Sequence, residues 1–245
     1  MKRYGVRSDA GRTLIERDFA HQADAAEAPD LLVERFTEGS EFDVPVSRAG
    51  LIFSISAPSG TGKSTVAELV LGRVQNLVRS VSLNTRKKRS TEVDGVDYTF
   101  ISREEFDRNV KEGNLIEFAE VYGSLRGTPK RPLQLNQSQG IDTICIIEWN
   151  GTRRLKSIFE RTVVSIYLMP PSIDIVKQRI VARAQDSSEE IARRLANIEE
   201  EVKFASEYDY CVVNDDLAEC VSNVVSIIKA ERCRVRTQKM EIGFG

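Results

Sequence analysis

Ile52 to Thr65, IFSISAPSGTGKST, is the stretch whose reading decides the fold. LIFSIS is an apolar, strand-like run, and TVAELVL from Thr65 onward is helix-like. Between them Ala57, Pro58, Ser59, Gly60, Thr61, Gly62, Lys63 and Ser64 have the spacing of a phosphate-binding loop. In such a loop successive backbone N–H groups curl round an anion at the N-terminus of a helix, whose dipole adds positive charge. Gly60 and Gly62 supply positive φ and close approach, Lys63 reaches the β- and γ-phosphates of a nucleoside triphosphate, and Ser64 offers a hydroxyl to Mg²⁺. Ala57 stands where the strict pattern has glycine. A ligand-free turn is the plainer alternative, and the strand before and helix after the loop argue against it.

The rest of the chain bounds the chemistry. Its 245 residues suffice for a sizeable core, and 35 basic against 37 acidic residues leave a net charge of −2. No overall charge bias points to nucleic acid or a membrane surface, so any anion site must be a local cluster. The start, MKRYG, has no apolar stretch behind its charges, and no run approaches the roughly 18 apolar residues of a membrane span; a cytoplasmic location is expected. Cys145, Cys211, Cys220 and Cys233 form no CxxC pair and read as reduced packing residues. His21 is the single histidine, which excludes histidine metal clusters and Ser-His or Cys-His dyads.

Residues 1–49 are polar, without sustained apolar periodicity beyond a short possible helix near DLLVERF from Asp30, and read as a partly disordered extension. Beyond the first strand, loop and helix, Thr85-Arg86-Lys87-Lys88-Arg89 places four cations in succession. Their position after the second strand-like segment suits an anionic acceptor held near the γ-phosphate.

From Ser82 the spacing Ser82, Thr85, Arg86, Arg89, Glu92, Gly95, Asp97, Tyr98, Phe100, followed by SREEF from Ser102 and EFAE from Glu117, resembles the acceptor-binding region of guanylate kinases. The likeness covers about residues 50–235. It implies ATP and GMP as substrates, with Arg86, Arg89 and Tyr98 on the GMP phosphate and Ser82, Glu117 and Thr128 recognising guanine or closing the acceptor site. Guanidinium forks and a phenol suit a phosphate dianion, and a carboxylate accepts from guanine's N1–H and 2-amino group. Leu125 and Arg126 replace the family's two tyrosines, Arg126 standing either as an additional cation for the same phosphate or as a mark of altered specificity, and Asn84 and Lys88 replace its usual threonine and proline.

TICIIEW from Thr143 reads as one continuous apolar strand in the middle of a parallel sheet. Aligned on Gly151, Ile146 and Glu148 take the places of two family aspartates and Asn150 that of a glutamine. Glu148 keeps a carboxylate for guanine, whereas Ile146 cannot help order Mg²⁺ through water. Trp149 fits either core packing or a wall near the base. TVVSIYLM from Thr162 is the next buried strand, and a Ser-x-x-Glu capping box lies in DSSEE from Asp186. Arg179 and Arg183 lie four apart on one helical face, and Arg193 and Arg194 lie off the apolar stripe of the helix that follows. This is similar to the family's lid, whose arginines at the places of Arg179, Arg183 and Arg194 act with Lys63 on the transferring phosphoryl group. YDYCVVNDD from Tyr208 is the last core strand, where the family's Asn-Asp turn puts Asn214 beside adenine, and the run from Asp216 reads as a closing amphipathic helix.

The architecture expected is α/β: a P-loop core with a parallel sheet and flanking helices over 50–82, 141–177 and 196–235. An inserted α+β GMP-binding domain spans 83–140, a helical lid 178–195 and a tail 236–245. The chain is expected as a monomer or homodimer. A non-catalytic phosphopeptide-binding module resembling scaffold guanylate-kinase-like domains is the rival reading, and a P-loop kinase with another small phosphorylated acceptor is the nearer one.

Overall fold

The computed structural model describes residues 46–58, 60–121, 123–172, 174–176, 202–235 and 238–240. The expectations for Ser59, for the lid with Arg179, Arg183, Arg193 and Arg194, for the capping box and for nearly all of the extension lie outside the described residues. Val46–Lys239 makes one compact unit. Among the described residues the strands are β1 (Val46–Arg48), β2 (Ile52–Ser56), β3 (Leu77–Arg79), β4 (Leu83–Asn84), β5 (Thr99–Phe100), β6 (Leu115–Val121), β7 (Ser124–Pro129), β8 (Asp142–Ile146), β9 (Val163–Met169), β10 (Tyr210–Val213) and β11 (Gln238–Met240). The α-helices described from end to end are α1 (Lys63–Leu71), α2 (Arg103–Lys111), α3 (Lys130–Ser138), α4 (Trp149–Phe159) and α5 (Leu217–Arg232).

One sheet is wholly parallel, in the order β10-β9-β2-β8-β3. β2 lies at its centre, with Ile52 facing Thr143 on one side and Val163 on the other, and all five of its residues are buried. That is why it reads as a continuous apolar run: helices cover both faces of a parallel sheet. Alternation still governs which neighbour each residue meets. Phe53 and Ile55 join Val66, Val70, Val224 and Ile228 of α1 and α5, whereas Ile52 joins Leu133, Leu155 and Phe159 of α3 and α4. Full burial of such a side chain contributes about 1.5–3 kcal/mol each, so these two clusters set the frame from which the loops project.

The second sheet has the order β5-β4-β7-β6, with β4 antiparallel to β7 and β7 antiparallel to β6. Its register sets Glu117 opposite Thr128 and Ala119 opposite Arg126, while Asn84 of β4 meets Arg126 from the other side. Ser102 caps α2 by accepting from the Glu105 N–H at 3.1 Å, and Asp216 caps α5 by accepting from the Glu219 N–H at 2.8 Å.

Two expectations are corrected. The strand expected to run to Trp149 stops at Ile146, and Trp149 is the first residue of α4. The Ile147 N–H donates to Ile55 O at 3.2 Å and Ser56 Oγ donates to Ile147 O, after which Glu148 turns the chain into a helix that buries Leu155 and Phe159. All four cysteines are free, but only Cys145 and Cys220 are packing residues; Cys211 and Cys233 are exposed. Burial pushes the Cys145 thiol up to about 12, so it stays protonated and unreactive at neutral pH.

Candidate active site

The loop after β2 is shaped by its glycines: Gly60 has φ 83° and Gly62, the N-cap of α1, φ 94°. Side chains beyond glycine rarely adopt that region. The Thr61 N–H donates to Pro58 O at 3.2 Å, closing the turn, and Thr61 itself is fully buried. The Lys63 ammonium, in the first turn of α1, donates to Ala57 O and Pro58 O and so crosses the mouth of the loop. Ser64 and Thr65 are exposed beside it. Asn214, only 5% exposed, donates from Nδ2 to Thr61 O at 2.6 Å. Its side-chain donor is thus engaged with the loop backbone.

Ile146 ends β8 directly opposite Ile55, one residue from where β2 gives way to the loop, and packs against the main core. An apolar side chain occupies the place where the sequence comparison expected an acid.

On the second sheet, Thr128 Oγ1 donates to Glu117 Oε1 at 2.7 Å. The Glu117 carboxyl is pushed up from the ordinary carboxylate range, chiefly by burial; the Thr128 hydrogen bond pulls the other way, and the negative charge of Glu148 adds to the rise. Gly151 of α4 packs against this carboxylate: a Cβ there would lie 3.0 Å from Glu117 Cγ. Two carboxylates, Glu117 and the exposed Glu148, are therefore neighbours, one oriented by a hydroxyl and one at the start of α4.

The cation cluster surrounds Tyr98. Arg86 is held by Glu92, with Nη1 donating to Oε2 at 2.7 Å and Nη2 to Oε1, and it also reaches Lys87 O at 3.0 Å. This hydrogen-bonded guanidinium, more than any other contact, lowers the Glu92 carboxyl to about 2. Glu92 also accepts from the Arg89 N–H at 2.9 Å, which fixes the loop carrying both arginines. The Arg86 Cζ lies 5.4 Å from the Tyr98 ring centroid and the Arg126 Cζ 5.3 Å from it. Ser82 lies beside β4, its carbonyl accepting from the Thr99 N–H at 3.0 Å.

Two contributors carried no assigned role in the sequence reading. Glu92 stood in the motif without a partner, and Asn84 counted only as a mild departure. Buried Asn84 accepts the Arg86 N–H at Oδ1 across 3.1 Å, the local side-chain-to-backbone bond that an Asn two residues before a functional residue signals. Trp149 stacks on Phe204, with ring centroids 4.0 Å apart, and the Arg153 Cζ lies 4.7 Å from its ring.

A family model described as Guanylate kinase matches residues 51–231. The chain belongs to the guanylate kinase family. It is 40% identical over 191 residues to a guanylate kinase of Agrobacterium fabrum, covering 78% of this chain and 87% of the relative. With a guanylate kinase of Rhizobium etli it shares 43% identity over 191 residues and the same coverage. The crystal structure of guanylate kinase from Anaplasma phagocytophilum superposes with a TM-score of 0.64 at 34% identity, covering 79% of this chain and 92% of that one. The family's P-loop kinase fold is the fold observed: β2, the loop and α1 present Lys63, and the second sheet presents the cation cluster and Glu117 within the same compact unit.

Proposed function

We propose that the protein transfers the γ-phosphoryl group of ATP to GMP, giving ADP and GDP. The observation that carries this reading is the Glu117–Thr128 pair beside Glu148. It offers oriented carboxylate acceptors to a base that, like guanine, presents adjacent N1–H and amino donors. Lys63 and the loop from Ala57 to Thr65 hold the donor phosphates, while Arg86, Arg89 and Tyr98 hold the acceptor phosphate, with Ser82 and Glu148 at the base.

An acceptor phosphate oxygen is already an anionic nucleophile, so attack on the γ-phosphorus needs positioning and charge neutralisation rather than a general base. As the new P–O bond forms, the bond to the β–γ bridging oxygen breaks and ADP leaves. Lys63 neutralises the developing charge. Arg179, Arg183 and Arg194 share that role in the lid, by resemblance to the family. The residues present fit a nucleotide-borne Mg²⁺. Ser64 offers a neutral hydroxyl at the helix start, and a magnesium ion takes its other oxygens from phosphates and water, so Ile146 need not contribute. Held there, the ion would supply positive charge that neutralises the donor phosphates. No helix among the described residues is long and apolar enough to cross a membrane, and a cytoplasmic location is part of this reading.

One coupled assay tests it: ADP release with Mg²⁺ and ATP, offering GMP, dGMP, AMP, UMP and ribose phosphates in turn. Turnover highest with GMP is expected. No turnover with any acceptor would sink the enzyme reading in favour of a phosphopeptide-binding module, and preference for a different acceptor would overturn GMP.

A further inference from the structure

Arg126 is a half-buried cation with no counter-ion among the described residues. It sits on β7 between Asn84 and Ala119 of the neighbouring strands, and among the described residues its guanidinium makes neither a hydrogen bond nor an ion pair. Its contact is with the ring of Tyr98, at 5.3 Å from the centroid, where Arg86 also lies at 5.4 Å. The Nε–H groups of both arginines are buried and unpartnered. Arg86 donates to both Glu92 oxygens and to Lys87 O, while Arg126 has no acid among the described residues. A guanidinium withdrawn from water without a partner is unfavourable, and such a site is stabilised by an anion that arrives with the ligand.

The charge balance favours an anion. Arg86, Arg89, Arg126 and Lys88, whose ammonium donates to Glu92 O at 3.0 Å, outnumber the single carboxylate of Glu92, and this local excess of positive charge suits a phosphate.

We propose that Arg126 is a third phosphate-binding guanidinium of the acceptor site, making recognition of a dianionic 5′-phosphate depend on an added charged fork beside Tyr98. This rests on the acceptor reading above. A planar fork binds a phosphate through paired, charge-assisted hydrogen bonds, so the gain falls on the phosphate and not on the base.

The test uses the full chain and the variants Arg126→Ala, Arg126→Lys and Arg126→Gln, titrated with GMP, with guanosine and with inorganic phosphate, together with the KM for ATP. Arg126→Ala is expected to weaken GMP binding about tenfold or more and inorganic phosphate in parallel, leaving guanosine binding and the ATP KM within about twofold. Arg126→Lys, which keeps the charge and loses the fork, should fall between wild type and Ala. GMP affinity unchanged within twofold, or equal losses for GMP and guanosine, would overturn the proposal, the latter because it marks a packing role. If the alanine variant fails to fold by circular dichroism, the Gln and Lys variants decide by the same comparison. Should the wild type not phosphorylate GMP, the acceptor reading fails by itself; the phosphate arm still judges Arg126, and equal phosphate affinity in wild type and variants overturns it.

Discussion

Asn214 holds the carbonyl of Thr61, its Nδ2 lying 2.6 Å from that oxygen, so the end of the last core strand fixes a peptide inside the phosphate-binding loop. Asn214 is placed by its own backbone N–H, which donates to Met169 O at 2.8 Å. A carbonyl turned toward a bound phosphate would repel it, and this bond keeps the oxygen of Thr61 turned away. Asn214→Ala should raise the ATP KM about tenfold and cost roughly 1–3 kcal/mol of stability, with a smaller effect on the GMP KM. Asn214→Asp should be worse than alanine, because a carboxylate would face the carbonyl. An ATP KM within twofold of wild type in both variants would remove the role.

Lys63 donates to the Ala57 and Pro58 carbonyls, which preorganises its ammonium over the loop before any nucleotide arrives. Lys63→Ala should lower kcat on the order of 10²-fold or more, since preorganised charge at the transferring group is lost. Steady-state kinetics at saturating ATP and GMP separate this from weaker binding. A near-normal kcat would contradict the assignment.

Glu117 should give guanine recognition a distinctive acid limb. Burial raises its proton affinity in the folded protein, so its contribution to stability is complete below the unfolded carboxylate range and is lost as pH rises through the elevated folded value. Recognition runs oppositely, because the ionised carboxylate offers acceptors to both guanine N1–H and the 2-amino group, whereas protonation turns one of its oxygens into a donor. Guanosine affinity, free of any phosphate titration, should therefore fall as pH drops through a value above the ordinary carboxylate range. Thr128→Val removes the hydrogen bond that lowers this value and should move the limb to higher pH, while Glu117→Gln should abolish it. A flat guanosine profile in wild type would tell against the role.

The parts of this site that are local in sequence were legible. β2, the glycine loop and α1 are contiguous, and their order is the motif. What escaped depends on pairings across the sheets. The Arg126 contact with Tyr98 follows from β4 lying between β5 and β7, which no spacing announces. The turn at Ile147 was hidden because TICIIEW is apolar throughout, and Gly151 in the first turn of α4 weakens the helix signal. Cys211 reads as core, yet β10 is an edge strand and one of its faces is open.

Asp142 should matter for stability more than any exposed ion pair. Fully buried at the start of β8, it accepts from Arg48, from Arg232 Nε at 2.7 Å and from the Leu51 N–H at 2.7 Å, joining β1, the entry to β2 and the last turn of α5. Asp142→Ala removes the buried acid that Arg48 and Arg232 share and should cost about 3–5 kcal/mol. Arg103→Ala, which breaks the exposed i,i+4 pair with Asp107, should cost less than about 1 kcal/mol. Urea unfolding with unchanged m-values compares them, and equal midpoints would refute the clamp.

Gly151 couples core packing to the acceptor base. A Cβ there would lie 2.2 Å from Ile147 Cγ1 and 3.0 Å from Glu117 Cγ, and Ile147 is itself buried. In an unconstrained helix Gly→Ala stabilises by roughly 0.5–1 kcal/mol; here the overlap should reverse the sign and cost about 1–3 kcal/mol. Because the displaced atoms include Glu117, the GMP KM should rise while the ATP KM stays near wild type. Shortening Ile147 removes the closest clash, so the double variant Gly151→Ala with Ile147→Ala should be more stable than the sum of its single changes. Strict additivity, or equal shifts in both KM values, would mean that Gly151 does not link α4 to Glu117.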